Sequence, residues 1–279
     1  VSAVASRVRV SGPGLHGGKT SSITLVASDT ASGVTLVMGE QRGVLPDCPV
    51  TSAFRSTSIA VSHATLRTVE HLCAALMGLG IDSGLDIHVE GDEIPLLDGG
   101  ASAWVSALED ALPARSSASP SGHPARFRIA HAATLQDDDA RYTFTPSSGI
   151  HLSVKVELGD RRYDRSATWD GSRTAFVQDV APARTFAREE DVMELASRGV
   201  ASWVPRESVV VLCKERPALF HGRPFHDDEP ARHKLLDLMG DVYVRCGLLQ
   251  GTLAAEKPGH QRTHRVLDRA LADGVIVRT

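Results

Sequence analysis

The chain has 279 residues, of which 42% are hydrophobic, and a formal net charge of −4. That length supports one large domain or two ordinary ones with a real core, and the charge balance excludes the basic footprint of a nucleic-acid binder. Its apolar runs are too short to span a bilayer, and "VSAVASRVRV" lacks the apolar centre of a signal peptide, so a cytoplasmic protein with no transmembrane segment is expected. In chain order, "SSITLVA" (21–27), "GVTLVM" (33–38), "STSIAVS" (56–62) and "GLDIHVE" (84–90) alternate or are β-rich and predict strands. Two helices interrupt them. The first, at 68–79, carries Val69, Leu72, Cys73 and Leu76 on one stripe, and the second, at 101–112, repeats the spacing with Ala101, Trp104, Val105 and Leu108.

"PARSSASPSGHPAR" (113–126) is rich in Pro, Ser, Gly and Ala and has no period. It reads as a linker centred on 118–123, dividing an N-terminal domain, 1–117, from a C-terminal domain, 124–279. Beyond it "RFRIA", "RYTFTP", "IHLSVKVEL" and "SVVVLC" predict strands, and 188–199, 230–248 and 260–272 predict helices, the first ended by Gly199 and the second opened by Pro230. Strands followed by helices in each half indicate an α+β fold with helices layered on mainly antiparallel sheets, and a duplicated fold is suspected although no strict sequence repeat appears. Cys48, Cys73, Cys213 and Cys246 form no CxxC pair, and Cys73 and Cys246 fall on apolar helical positions, which argues against a disulfide framework.

The twelve histidines invite a search for metal ligands. In "HKLLDLMGD" (233–241), His233 and Asp237 stand one helical turn apart on one face, and Asp241 continues it. That pair is either a divalent-metal clamp or a solvated polar face. A catalytic zinc takes about three protein ligands. "TVEHL" offers the third: His71 could ligate while Glu70, diverging by about 100° on the helix, works on a water beside the ion. The alternative is an acid decorating the positive end of a helix. His260, after Gly259 at a helix start, is placed either to serve as a general acid held by Asp241 or simply to face solvent. His264, one turn on, is expected at the surface. "SGPGLHGGKTSSITL", with His16 and Lys19, has neither Walker spacing nor a dinucleotide fingerprint and reads as a turn between strands. In "EIPLLDGGASAW" (93–104), Asp98 reads as a helix cap.

Taken in order, "GPGLHGGK", "TVEHLCAALMGLGID", "EIPLLDGGASAWV", "ARTF", "ARHKLLDLMGD" and "KPGHQRTHRVLDRAL" resemble UDP-3-O-acyl-N-acetylglucosamine deacetylase, the zinc enzyme of lipid A biosynthesis. The resemblance runs collinearly from near residue 12 to near residue 271. It implies two similar domains, each a sheet layered with paired helices, with the active site between them. It also implies Zn²⁺ held by His71, His233 and Asp237. Fe²⁺ is an alternative, since a His₂Asp set discriminates weakly. By the same resemblance Glu70 is the general base, His260 the general acid for the departing amine, and Asp241 its orienting partner. Lys234 and Thr185 face the developing oxyanion, and Phe186 and His16 line the substrate cleft. The partner implied is a small nucleotide-sugar, and a monomer is expected.

The segment "VASWVPRESVVVL" departs from the family pattern. Trp203 and Val204 stand where small residues are usual, and Glu207 replaces an acid of an Asp-x-Ala strand start. This raises an alternative substrate, a different N-acylated amino sugar with a short or absent acyl chain, should Trp203 plug the acyl passage. A non-catalytic binding protein of the same fold is the reading from another class. Replacement of Glu70 by Gln separates it from the enzyme.

Overall fold

The computed structural model describes residues 7–29, 33–52, 55–113, 125–197 and 203–279. The first half begins with β1 (Arg7–Pro13), β2 (Thr20–Ala27), β3 (Val34–Met38) and β4 (Gln41–Leu45). A small three-stranded sheet follows, made of β5 (Val50–Ser52), β6 (Ser58–Val61) and β7 (Ala64–Leu66). Then come α1 (Glu70–Gly78), β8 (Leu85–Glu90) and α2 (Ser102–Ala111). The main sheet has the order β1-β2-β8-β3-β4, antiparallel except where β3 runs beside β8.

The second half holds β9 (Phe127–Ile129), β10 (Ala133–Asp137), β11 (Ala140–Thr145), β12 (Ile150–Lys155) and β13 (Ser166–Trp169). After the helical turn α3 (Arg173–Ala175), an insert follows: β14 (Thr185–Arg188), α4 (Glu189–Ser197) and β15 (Val209–Leu212). It closes with α5 (Glu229–Cys246), β16 (Leu249–Glu256), α6 (His260–Ala272) and β17 (Ile276–Arg278). Its sheet order is β10-β11-β16-β12-β13, with only β12 and β16 parallel on that path. The order and the directions are those of the first half. In both, four strands, an insert, a helix, a fifth strand driven into the middle of the sheet and a last helix follow one another. The suspected duplication is therefore a duplication of topology.

Each sheet buries one face. β2 and β16 alternate buried and partly exposed residues along their length, as strands covered on one side must. α2 covers β1 and β2, α5 covers β12 and β13, α6 covers β10, and α1 lies against α5 in the centre. The result is four layers, sheet, helices, helices, sheet. This corrects the amphipathic reading of α1: every residue from Glu70 to Gly78 is buried, because helices cover it on both sides. The helix bounds otherwise fall within two residues of those expected. The linker at 118–123 and Gly199 lie outside the described residues. The four cysteines are free and buried, and no helix among the described residues is long and apolar enough to cross a membrane.

Candidate active site

The site forms where α1 meets α5. Gly240 permits this crossing, because a Cβ on it would lie 2.1 Å from the carbonyl oxygen of Glu70. The two backbones thus touch at the first turn of α1, and His71 and Glu70 face the polar stripe of α5. That stripe is buried, so the solvated-face alternative for His233 and Asp237 does not hold.

His71, His233 and Asp237 each offer one donor atom, and the three atoms lie within 4.8 Å of one another. Asp237 Oδ1 is 3.4 Å from His233 Nε2 and 3.9 Å from His71 Nε2. His233 Nδ1 donates to the Ala183 carbonyl at 3.0 Å, which leaves Nε2 as a lone pair aimed at Asp237. Burial, with His233 alongside, pushes His71 down to about 3, and burial also lowers His233. Burial works against the Asp237 anion, yet the Lys234 ammonium, donating to Oδ2 at 2.8 Å, holds the carboxyl well below its usual range. Two neutral imidazoles and a carboxylate, with no proton to displace, are the protonation states a divalent metal requires. The donor set fits Zn²⁺.

Beside this cluster stand an acid and a base. Burial pushes the Glu70 carboxyl up to about 7, and the neighbouring Asp237 and Asp241 charges add to the shift. The Thr57 amide donates to Glu70 Oε2 at 3.0 Å and fixes its orientation. Burial alone would lower His260, but Asp241 and Asp237 outweigh it and hold the imidazolium up to about 10. His260 Nδ1 donates to Asp241 Oδ2 at 2.9 Å, and its Nε2 lies 3.9 Å from Glu70 Oε1. One group therefore titrates near neutrality while the other stays protonated, separated by their environments as an acid–base pair needs.

These groups open into a cleft of about 560 Å³, lined also by His16, Thr185, Phe186 and Lys234. Thr185 is placed by its amide, which donates to the Gly99 carbonyl at 2.7 Å. Gly99, at φ +81, has Ser208 O 1.7 Å from where its Cβ would stand, so the "DGG" turn serves to bring the two halves of the chain together. The Phe186 ring meets His233 edge-on at 6.0 Å and lies under Lys234 Nζ at 5.4 Å. His16 enters from the turn between β1 and β2, whose His16 and Gly17 amides both donate to buried Glu93 at 2.8 Å. Trp203 is not part of the cleft wall among the described residues. It packs on Gly18 and donates to the Leu15 carbonyl at 3.3 Å, so it braces the turn that lines the cleft.

A family model for UDP-3-O-acyl N-acetylglycosamine deacetylase matches residues 2–272. The chain belongs to this family. It is 30% identical over 277 residues to the UDP-3-O-acyl-N-acetylglucosamine deacetylases of Shewanella sp. (strain ANA-3) and Shewanella baltica (strain OS155 / ATCC BAA-1091), covering 96% of this chain and 89% of each relative. The enzyme of the same name from Shewanella oneidensis is 30% identical over 278 residues, with the same coverage.

Against this family background, the sequence reading misses three polar residues of the site. Thr57 reaches Glu70 through its amide and Asp241 through its hydroxyl, at 2.6 Å. Glu93 also accepts from Thr68 Oγ1 at 3.0 Å, pinning a residue at φ +58 that turns the chain into α1. His264 is buried and lies 3.2 Å from Asp241, contrary to the surface position expected for it. Its i,i+4 spacing from His260 was the available signal. Asp98 does meet the start of α2, accepting from the Ala103 amide at 3.5 Å, although Ala101 holds the cap position itself.

Proposed function

We propose that this protein hydrolyses the N-acetyl amide of UDP-3-O-acyl-N-acetylglucosamine, releasing acetate and the free amine, in lipid A biosynthesis. One observation carries the reading: in a chain of this deacetylase family, a base near neutrality and a protonated imidazole flank a buried His₂Asp donor set in one cleft. His71, His233 and Asp237 would hold Zn²⁺, with Fe²⁺ as the alternative for so permissive a set, and such an ion would supply the Lewis acidity for water activation and carbonyl polarisation. Glu70 takes the proton from the attacking water. Lys234 and Thr185 face the carbonyl oxygen as it gains negative charge, a role for donors fixed before the reaction. His260, held by Asp241, gives its proton to the nitrogen as the C–N bond breaks, since an amine anion is a poor leaving group.

Phe186 and His16 form the substrate walls. The site works between domains 1–117 and 124–279, in a monomeric cytoplasmic enzyme. Acetate release from UDP-3-O-acyl-N-acetylglucosamine by the zinc-loaded protein is the test. Turnover is expected, lost to a chelator and restored by Zn²⁺. Inactivity on this and every other N-acyl amino sugar would instead indicate a binding protein.

A further inference from the structure

His264 has no part in the chemistry above, yet it sits in a buried polar cluster with Thr57, Asp241 and His260. It stands one turn after His260 on α6, is 4% exposed, and points its Nε2 to Thr57 Oγ1 at 3.0 Å and Asp241 Oδ1 at 3.2 Å. We propose that His264 is a positioning residue for the hydrolysis: a neutral imidazole, protonated at Nε2, that with Thr57 clamps Asp241 against His260. The proposal rests on the function put forward above.

The hydrogen-bond inventory leaves little freedom. The Thr57 hydroxyl spends its proton on Asp241 Oδ1 at 2.6 Å, so it meets His264 Nε2 only with a lone pair. Nε2 must then carry hydrogen and donate to Thr57 Oγ1, with Asp241 Oδ1 3.2 Å away. The other ring nitrogen, Nδ1, is buried with no partner. A bare lone pair there is tolerable, whereas an N–H would be a buried donor left unmade. Charge points the same way. One carboxylate lies between two imidazoles, and His260 Nδ1, at 2.9 and 3.0 Å from its two oxygens, takes the positive charge. A second cation would face the first across a single anion.

The mechanical consequence follows from where the donors come from. Thr57 belongs to the first half of the chain, just before β6, Asp241 to α5, and His260 and His264 to α6. With His260 as its only donor, the carboxylate could swing about its Cβ–Cγ bond and carry the imidazole with it. With Thr57 also donating to Oδ1, and His264 in turn holding the Thr57 hydroxyl, it presents a fixed face to His260 Nδ1. Outer partners of this kind typically change activity by about 10–100-fold when removed.

Two substitutions in the zinc-loaded protein test this. His264→Phe keeps the ring shape and removes the donor, and His264→Gln restores an N–H near the Nε2 position. The expected result is a kcat about tenfold lower for Phe with KM and zinc content unchanged, and recovery to within about threefold by Gln. Full kcat in the Phe variant, or equal losses in both variants, would overturn the proposal. A readout independent of turnover is the ¹⁵N NMR spectrum of histidine-labelled, metal-free unmutated protein. His264 is expected as the neutral Nε2–H tautomer at pH 7, and an imidazolium or an Nδ1–H tautomer sinks the clamp. Should the unmutated protein hydrolyse no N-acyl sugar, the proposed function fails, and the tautomer still decides for or against the clamp by itself.

Discussion

The two halves of this chain share one topology but contribute differently to the site. α1 and α5 occupy equivalent places, each preceding the strand that enters the middle of its sheet. α1 contributes only its first turn, Glu70 and His71, and is otherwise apolar. α5 carries His233, Lys234, Asp237 and Asp241 along one stripe. The inserts also diverge: the first places Thr57 against Glu70 and Asp241, and the second places Thr185 and Phe186 in the cleft wall. A duplicated scaffold thus supplies a symmetric crossing of helices, and unequal decoration of that crossing makes a site. Neither half holds all three donors of the His71, His233 and Asp237 cluster, so the cluster depends on the interface between them.

That comparison can be broken from either side. The largest expected effect is at the first half's contribution. Glu70→Gln should lower kcat by about 10²–10⁴-fold, the range for loss of a general base, while zinc content by elemental analysis stays at the unmutated level. Zinc loss in that variant would mean that the first turn of α1 does no more than shape the metal site.

Next is the anchor of the second half's insert. Glu229 opens α5 and takes Arg184 at 2.8 Å in a buried pair, while the Arg184 guanidinium also donates to the carbonyls of His221, Arg223 and Pro224. Burial would raise the Glu229 carboxyl, but the Arg184 hydrogen bonds outweigh it and lower it from 4.5. A lowered folded-state value means stability that is fully present above the ordinary value and is lost as pH falls through the folded one. Glu229→Gln should therefore cost about 3 kcal/mol in denaturant unfolding at pH 7. The gap to the unmutated protein should narrow once the pH drops below 4.5.

The crossing itself is sharpened by Gly240→Ala. With the backbone oxygen of Glu70 only 2.1 Å from the new Cβ, α5 must shift away from α1. Overpacking of this kind costs about 1–3 kcal/mol, read as a lower Tm, together with weaker zinc binding as His71 recedes from Asp237. An unchanged zinc affinity would show that the helices can part without loosening the ligands. The smallest effect belongs to Trp203→Ala. Loss of the bond to Leu15 is worth about 1 kcal/mol and should raise KM about fivefold with kcat held, since the turn bearing His16 loosens while the chemistry does not. A rise in activity on short-chain substrates relative to long ones would instead favour a direct role for Trp203 in acyl selection.

Local patterning in the sequence was enough for the long helices and for β2, β3, β6 and β8 of the first half, because 3.6-residue and two-residue apolar periods are set by neighbours along the chain. It was enough, too, to put His233 and Asp237 together, since their spacing places them on one helical face whatever the fold. β16 escaped notice because "LQGTLAAE" is rich in Gly and Ala, and its strand character comes from pairing with β11 and β12 on either side. Of the insert strands, β6 and β15 were legible in "STSIAVS" and "SVVVLC", whereas β5, β7 and β14 were missed for the same reason. What only the tertiary structure decided is the company each polar residue keeps. Thr57 reaches Asp241 across 184 positions, and His264 reaches Thr57 across 207. No local period encodes such pairings. They exist because two small-residue contacts, at Gly240 and Gly99, let separate halves of the chain close to backbone distance, and because burial there leaves a polar side chain no partner except another polar side chain.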